Sequence, residues 1–218
     1  MEKKYTTLFL DFDGTLTDSG EGIMKCVQYT LEHFGIHVED YHDLHKFVGP
    51  PIEDSYKEYY HFTDEMFQEA IKLYHERYFP IGIYEQHPYP GVFEFLEEVK
   101  RRGYTTAVAT SRTTVQAERI STEIIKGLRT NLDYIFGRDE KGELHTKADV
   151  INYAIAKMGI TDRSKILMIG DTKFDIIGAK ECGLDSLGVL WGYGSKEELE
   201  EAGADYLCGS FEEILKLL

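Results

Sequence analysis

The feature that most constrains this chain is a short apolar run, Thr6-Thr-Leu-Phe-Leu10, that passes at once into Asp11-Phe-Asp-Gly-Thr-Leu-Thr-Asp18. Such a run reads as a buried strand, and Gly14 can supply the sharp turn that has to follow it. Asp11 and Asp13 therefore stand at the carboxyl end of a strand. The arrangement recurs downstream, where Lys165 to Ile169 reads as another buried strand and runs into Gly170-Asp171, with Asp175 close behind.

Between these strands the periodicity changes. From Glu21 to Phe34, Ile23, Val27, Leu31 and Phe34 fall on one helical face, and Gly35 supplies a stop. Further helices are expected over Glu53 to Tyr60, after Gly49-Pro-Pro51, and from about Asp64 to Tyr78, with Phe67, Ala70, Ile71, Tyr74 and Tyr78 on one side. After Pro88-Tyr-Pro-Gly91 helix and strand alternate. A helix runs to Arg102, followed by a strand Thr105 to Ala109 ending in Thr110-Ser111, a strand Leu132 to Phe136, and a helix opened by Lys147. The strand at Lys165, a helix to Gly183, and strands Ser186 to Leu190 and Asp205 to Cys208 complete the series. Each of the last two strands precedes a capping-box pattern, Ser195 with Glu198 and Ser210 with Glu213. Alternation of this kind predicts an α/β fold, a doubly wound parallel sheet with its site along the strands' carboxyl edge. The helical stretch interrupts it, so a core over residues 1–19 and 86–218 is expected to carry an inserted α-helical cap over 20–85.

Charge narrows the function. A formal net charge of −15 argues against nucleic acid as an obligatory partner, because phosphate backbones are gripped by clustered Lys and Arg. The same field repels phosphorylated small molecules, so capturing one requires a local cation or a metal. No apolar run approaches a membrane span, and the first residues lack the long apolar stretch of a signal peptide, so a cytoplasmic location is expected. The thiols Cys26, Cys182 and Cys208, odd in number and without metal-ligand spacing, read as reduced and mostly buried. Oligomeric state is not legible in the sequence.

Asp11, Asp13, Asp171 and Asp175 would converge across one sheet edge, where their mutual repulsion calls for a cation. Oxygen ligands without accompanying His or Cys suit a hard ion such as magnesium, Mg2+. Lys147 and Thr110 lie at element ends on the same edge, and the set suits phosphoryl transfer, which needs neutralised phosphoryl charge and an aligned nucleophile. His33, His37, His42 and His45 crowd the insert but form no HxxxH pair, and read as surface residues. The tyrosines Tyr56, Tyr59, Tyr60, Tyr74 and Tyr78 read mostly as packing within the insert and against the core.

These residues resemble a known family. Asp11-Phe-Asp-Gly-Thr-Leu-Thr-Asp18 is similar to the DxDGTLxD signature of haloacid dehalogenase-like (HAD) hydrolases. Ala107-Val-Ala-Thr110 resembles their second motif, Lys147 their third, and Gly170-Asp-Thr-Lys-Phe-Asp175 their fourth. The resemblance spans nearly the whole chain and implies a Rossmann-like core and a phosphatase that forms an aspartyl-phosphate. It makes Asp11 the nucleophile and a metal ligand, and Asp13 the acid that protonates the leaving oxygen and then the base that activates water. It adds the Asp13 backbone carbonyl and the Asp171 side chain as ligands, with Asp175 supporting the shell or binding through water. Thr110 would bond the phosphoryl group, Lys147 would offset charge, and amides near Phe12 and Ser111 would be further donors.

The insert resembles the small cap of the phosphoglycolate phosphatase-like and beta-phosphoglucomutase-like branch, through Phe47-Val-Gly-Pro-Pro51, Tyr84-Glu85 and Tyr89-Pro-Gly91. One departure is that Ala148-Asp149 follows Lys147 where many relatives have proline. Lys46 and the Gly49-Pro-Pro51 loop are the candidates for reading the leaving group. The expected partner is a small phosphorylated metabolite: phosphoglycolate, a sugar phosphate or a nucleotide. A phosphosugar mutase or a pyrophosphatase would use the same machinery. A receiver-like phospho-Asp signalling module is the non-enzymatic alternative, and would need neither Asp13 nor a cap.

Overall fold

The structure, a computed structural model, describes residues 3–139 and 143–218; Met1, Glu2 and residues 140–142, which belong to the expected core, lie outside the described residues. The chain opens with β1 (Thr7–Leu10), every residue of which is buried, and a two-residue strand β2 (Thr17–Asp18). The helices α1 (Gly20–His33), α2 (Ile52–Tyr60) and α3 (Asp64–Tyr78) follow, and β3 (His87–Pro88) returns to pair antiparallel with β2. Next come α4 (Val92–Arg101), β4 (Thr105–Thr113), α5 (Thr114–Arg119) and β5 (Tyr134–Arg138). The remainder alternates: α6 (Lys147–Met158), β6 (Ile166–Gly170), α7 (Lys173–Glu181), β7 (Asp185–Val189), α8 (Lys196–Ala202), β8 (Tyr206–Cys208) and α9 (Phe211–Leu217).

The main sheet has six strands in the order β5-β4-β1-β6-β7-β8, with every neighbouring pair parallel. This is the doubly wound α/β sheet that the alternation predicts. Its central strand is covered on both faces: Leu8 and Leu10 enter one apolar cluster, while Phe9 enters another with Val150, Ile151 and Met168. Burial on two sides explains why β1 reads as a continuous apolar run rather than an alternating one. Register then positions the site. Leu10 lies opposite both Val108 of β4 and Ile169 of β6, so the residues leaving all three strands emerge at one level of the carboxyl edge.

The aromatic residues of the insert pack on one another and join the apolar cluster of Leu8 and Leu10, as expected of its tyrosines. Phe47 meets Tyr56 edge-on at 5.1 Å between ring centroids, and Tyr56 stacks on Phe62 at 5.1 Å.

Several details differ from the sequence reading. β4 continues to Thr113, with its register against β5 shifted between Ala109 and Thr113. β5 begins two residues later than expected, at Tyr134. Ser195 and Ser210 do cap their helices by accepting from the backbone N–H of Glu198 and Glu213. The reciprocal half is redirected: Glu198 accepts instead from the Lys173 N–H, and Glu213 from that of Gly209.

All three cysteines are free and buried. Burial pushes the Cys26 thiol up to about 11, against the opposing pull of Arg77. Because the thiolate is the reactive form, roughly one such thiol in a thousand is ionised at pH 8. Labelling of the native protein with a disulfide reagent at that pH should be slow, whereas the urea-unfolded chain should titrate fully.

Candidate active site

Asp11 is the first residue beyond β1, and its Oδ1 accepts from the Lys147 ammonium at 2.6 Å. Lys147 is the first residue of α6, where a reciprocal capping box between Thr146 and Asp149 fixes the helix start. Asp149, which stands near the position where relatives carry proline, is thus the residue that secures the lysine's placement. Lys147 also lies 2.8 Å from Asp175 Oδ1 and donates to the Ala109 carbonyl at 3.0 Å. The close approach of α7 depends on Gly178, since a Cβ there would sit 2.9 Å from the Lys147 side chain.

Asp171 follows β6 and is fully buried. Its Oδ2 accepts from the Tyr193 N–H at 2.8 Å, and its Oδ1 from the Thr15 hydroxyl at 3.4 Å. The turn after Asp13 passes so near that a Cβ on Gly14, at φ +77°, would lie 2.0 Å from Asp171 Oδ2. Asp175 uses its two oxygens on two different partners. Its Oδ2 accepts from the Thr172 N–H at 3.1 Å, capping α7, while its Oδ1 faces Lys147.

Oxygens of Asp11, Asp171 and Asp175 lie within 4.8 Å of one another. Burial and the neighbouring Asp175 push the Asp11 carboxyl up to about 7, with Lys147 pulling against them. Asp171 is raised well above the carboxylate range by burial, Asp175 and Asp11. Burial alone would lower Lys147, but Asp11 and Asp175 outweigh it and hold the ammonium above its ordinary value. Three carboxylates thus face one ammonium. The surplus negative charge, offered entirely by oxygen donors, fits a hard divalent cation. The crowded histidines of the insert take no part: His33, His42 and His45 hydrogen-bond locally at the surface and His37 is exposed.

The Thr110 hydroxyl is buried on the same edge and accepts from the Arg112 N–H at 3.2 Å. Phe12 is buried with its carbonyl accepting from the Leu16 and Thr17 N–H groups, which closes the turn after Asp11.

Asp13 is not one of the clustered acids. It lines a cleft of about 330 Å3 between the sheet edge and the insert, together with Ser111, Gly49 and Tyr74 among others. That volume falls at the lower end of small-molecule sites, roughly 300–1,000 Å3. The structure brings Gly49 to this cleft but not Lys46, which is exposed with its ammonium 4.0 Å from the centre of the Tyr59 ring.

The sequence reading missed Arg112. It holds Asp13 with a two-pronged ion pair, Nε to Oδ2 at 2.5 Å and Nη2 to Oδ1 at 2.6 Å. Burial would lower this guanidinium, but Asp13 outweighs it and keeps it charged.

With this geometry in place, the comparisons with known proteins are direct. The model of the haloacid dehalogenase-like hydrolase family matches residues 8–189. The chain belongs to this family. It is 33% identical over 215 residues to a 5'-nucleotidase of Pseudomonas aeruginosa, covering 99% of this chain and 96% of that protein. A phosphoglycolate phosphatase of Vibrio parahaemolyticus is 26% identical, over 95% of this chain and 93% of the relative. Among solved structures, one described as a predicted phosphatase from Clostridium acetobutylicum superposes with a TM-score of 0.94 at 42% identity, over 99% and 98% of the two chains. The protein is thus a HAD-family hydrolase. Among the described residues no helix is long and apolar enough to cross a membrane.

Removing one partner of a buried ion pair leaves the other uncompensated, at a cost of about 3–5 kcal/mol. Lys147→Met, unfolded by urea in the presence of EDTA at neutral pH, should lose stability of that order relative to the parent protein.

Proposed function

We propose that the protein hydrolyses a small phosphate monoester, with magnesium, through a transient phosphoryl group on Asp11. The observation that carries this reading is the Asp11 carboxylate, 2.6 Å from Lys147 and within the buried acidic cluster, two residues before Asp13, which lines the cleft. Asp11 attacks phosphorus while Asp13 gives a proton to the departing alkoxide. Asp13 then takes a proton from water, which attacks the acyl phosphate and releases inorganic phosphate and the free Asp11 carboxylate.

Asp11, Asp171 and the backbone carbonyl of Asp13 would hold the ion, with Asp175 supporting them; when bound, the ion neutralises charge on the phosphoryl oxygens. Thr110, Lys147 and the amides near Phe12 and Ser111 orient the phosphoryl group and offset its charge.

Residues 20–85 act as a cap over a core formed by 1–19 and 86–218, and the Gly49 loop contributes to the seat of the leaving group. The similarity to a 5'-nucleotidase and to a phosphoglycolate phosphatase supports a substrate panel that includes nucleoside monophosphates, phosphoglycolate and sugar phosphates. Buried thiols suit a reducing compartment, the cytoplasm.

The test is phosphate release from that panel with Mg2+ or EDTA. Turnover should require Mg2+, and Asp11→Asn should lower it more than about 10^3-fold. Magnesium should also stabilise the folded protein, by about 2.7 kcal/mol at a hundredfold excess over its Kd, and Asp171→Asn should abolish that gain. Metal-independent turnover, or an active Asp11→Asn, would overturn the reading.

A further inference from the structure

The Asp13–Arg112 pair joins groups 99 residues apart and is almost closed to solvent, the two side chains being 9% and 8% exposed. Its fork-to-fork geometry fixes the plane of the carboxylate as well as its distance, which a lysine could not do. The remaining donor, Nη1, bonds the Tyr78 hydroxyl at the last turn of α3. Ser19, just before α1, donates to Asp13 Oδ1. One guanidinium thus connects the loop after β1 with the final helix of the insert, and Asp13, Arg112 and Tyr78 all line the cleft.

Arg112 reaches this position because β4 loses its register between Ala109 and Thr113. A local break of this kind re-aims side chains that a regular strand would send to alternate faces. A buried ion pair placed for stability alone would be as well served by apolar residues. This one instead lies in the wall of the cleft and holds the carboxylate to which the scheme above assigns proton transfer.

We propose that Arg112 is the positioning residue for Asp13, setting the carboxylate for proton transfer to the leaving oxygen and linking that setting to the cap through Tyr78. The proposal rests on the reading of Asp13 given above. Arg112 need not touch the reacting atoms. It fixes where the acid stands, and a movement of α3 that carries Tyr78 carries the fork and the carboxylate with it.

A positioning role predicts a dependence on the leaving group that a structural role does not. An alkoxide needs a proton to depart, whereas p-nitrophenolate leaves readily without one. General acid catalysis is worth about 10^2–10^4-fold, and a displacement near 1 Å can cost about 10^2-fold. Arg112→Met should therefore lose kcat on glycerol phosphate at least about tenfold more than on p-nitrophenyl phosphate, with a smaller change in KM. Asp13→Asn should show the same substrate pattern, and the double variant should be no worse than Asp13→Asn alone, since coupled sites are not additive. Arg112→Lys should not restore the alkyl ester rate, and Tyr78→Phe should shift the substrate ratio in the same direction by a smaller factor.

Circular dichroism identifies any variant that fails to fold; Tyr78→Phe, which keeps the ion pair, decides the matter if Arg112→Met does so. Equal losses on both esters in folded Arg112 variants, or a Tyr78→Phe ratio equal to that of the parent, would overturn the inference while leaving the Asp11 reading intact. Absence of turnover on both esters by the parent protein would overturn that reading and the inference with it.

Discussion

The Lys147 ammonium, 2.6 Å from Asp11 and 2.8 Å from Asp175 with 4% of its side chain exposed, is the contact on which the arrangement of this edge depends. Charges buried this deeply act on each other through a low effective dielectric, so three carboxylates in contact would repel strongly without it. The fold delivers the lysine from a different segment than either acid. β1 supplies Asp11, the start of α7 supplies Asp175, and the capped start of α6 supplies Lys147. Parallel register brings the strand ends level, the Thr146–Asp149 box fixes where α6 begins, and Gly178 lets α7 approach. A change in any of these would displace the ammonium relative to both partners.

Much of this edge was legible because its signals are local. An apolar run ending in an acid predicts both a strand and the carboxylate at its tip, and Asp11 and Asp171 each follow that rule. Arg112 carried no such mark. In Thr110-Ser-Arg-Thr113 the hydroxyls suggest a strand end, and nothing nearby indicates that the arginine's partner lies 99 residues earlier. Lys46 shows the reverse: the sequence marks it as a cation in the insert, but its contact with the Tyr59 ring has no local pattern to announce it. The ribbon of β2 and β3 was also missed, because two-residue strands show no period to read.

In the proposed scheme the two parts of the chain carry different physical demands. Phosphoryl chemistry needs groups held to fractions of an ångström, and a sheet edge buried on both faces provides this. A leaving group needs a wall that can differ between relatives, and the insert supplies one from aromatic-rich helices packed onto the sheet core. A 5'-nucleotidase and a phosphoglycolate phosphatase both align with nearly the full length of this chain.

The pairing of Thr17–Asp18 with His87–Pro88 has a consequence for how such chains can change over time. The entry to the helical segment and its exit lie side by side as neighbouring strands, so the chain leaves the sheet and rejoins it at nearly one place. Lengthening or trimming the loops between the helices alters loop-closure entropy only slowly and leaves the paired register of β1 with β4 and β6 as it is. Selection can therefore rework the recognition surface while the carboxylates remain in register.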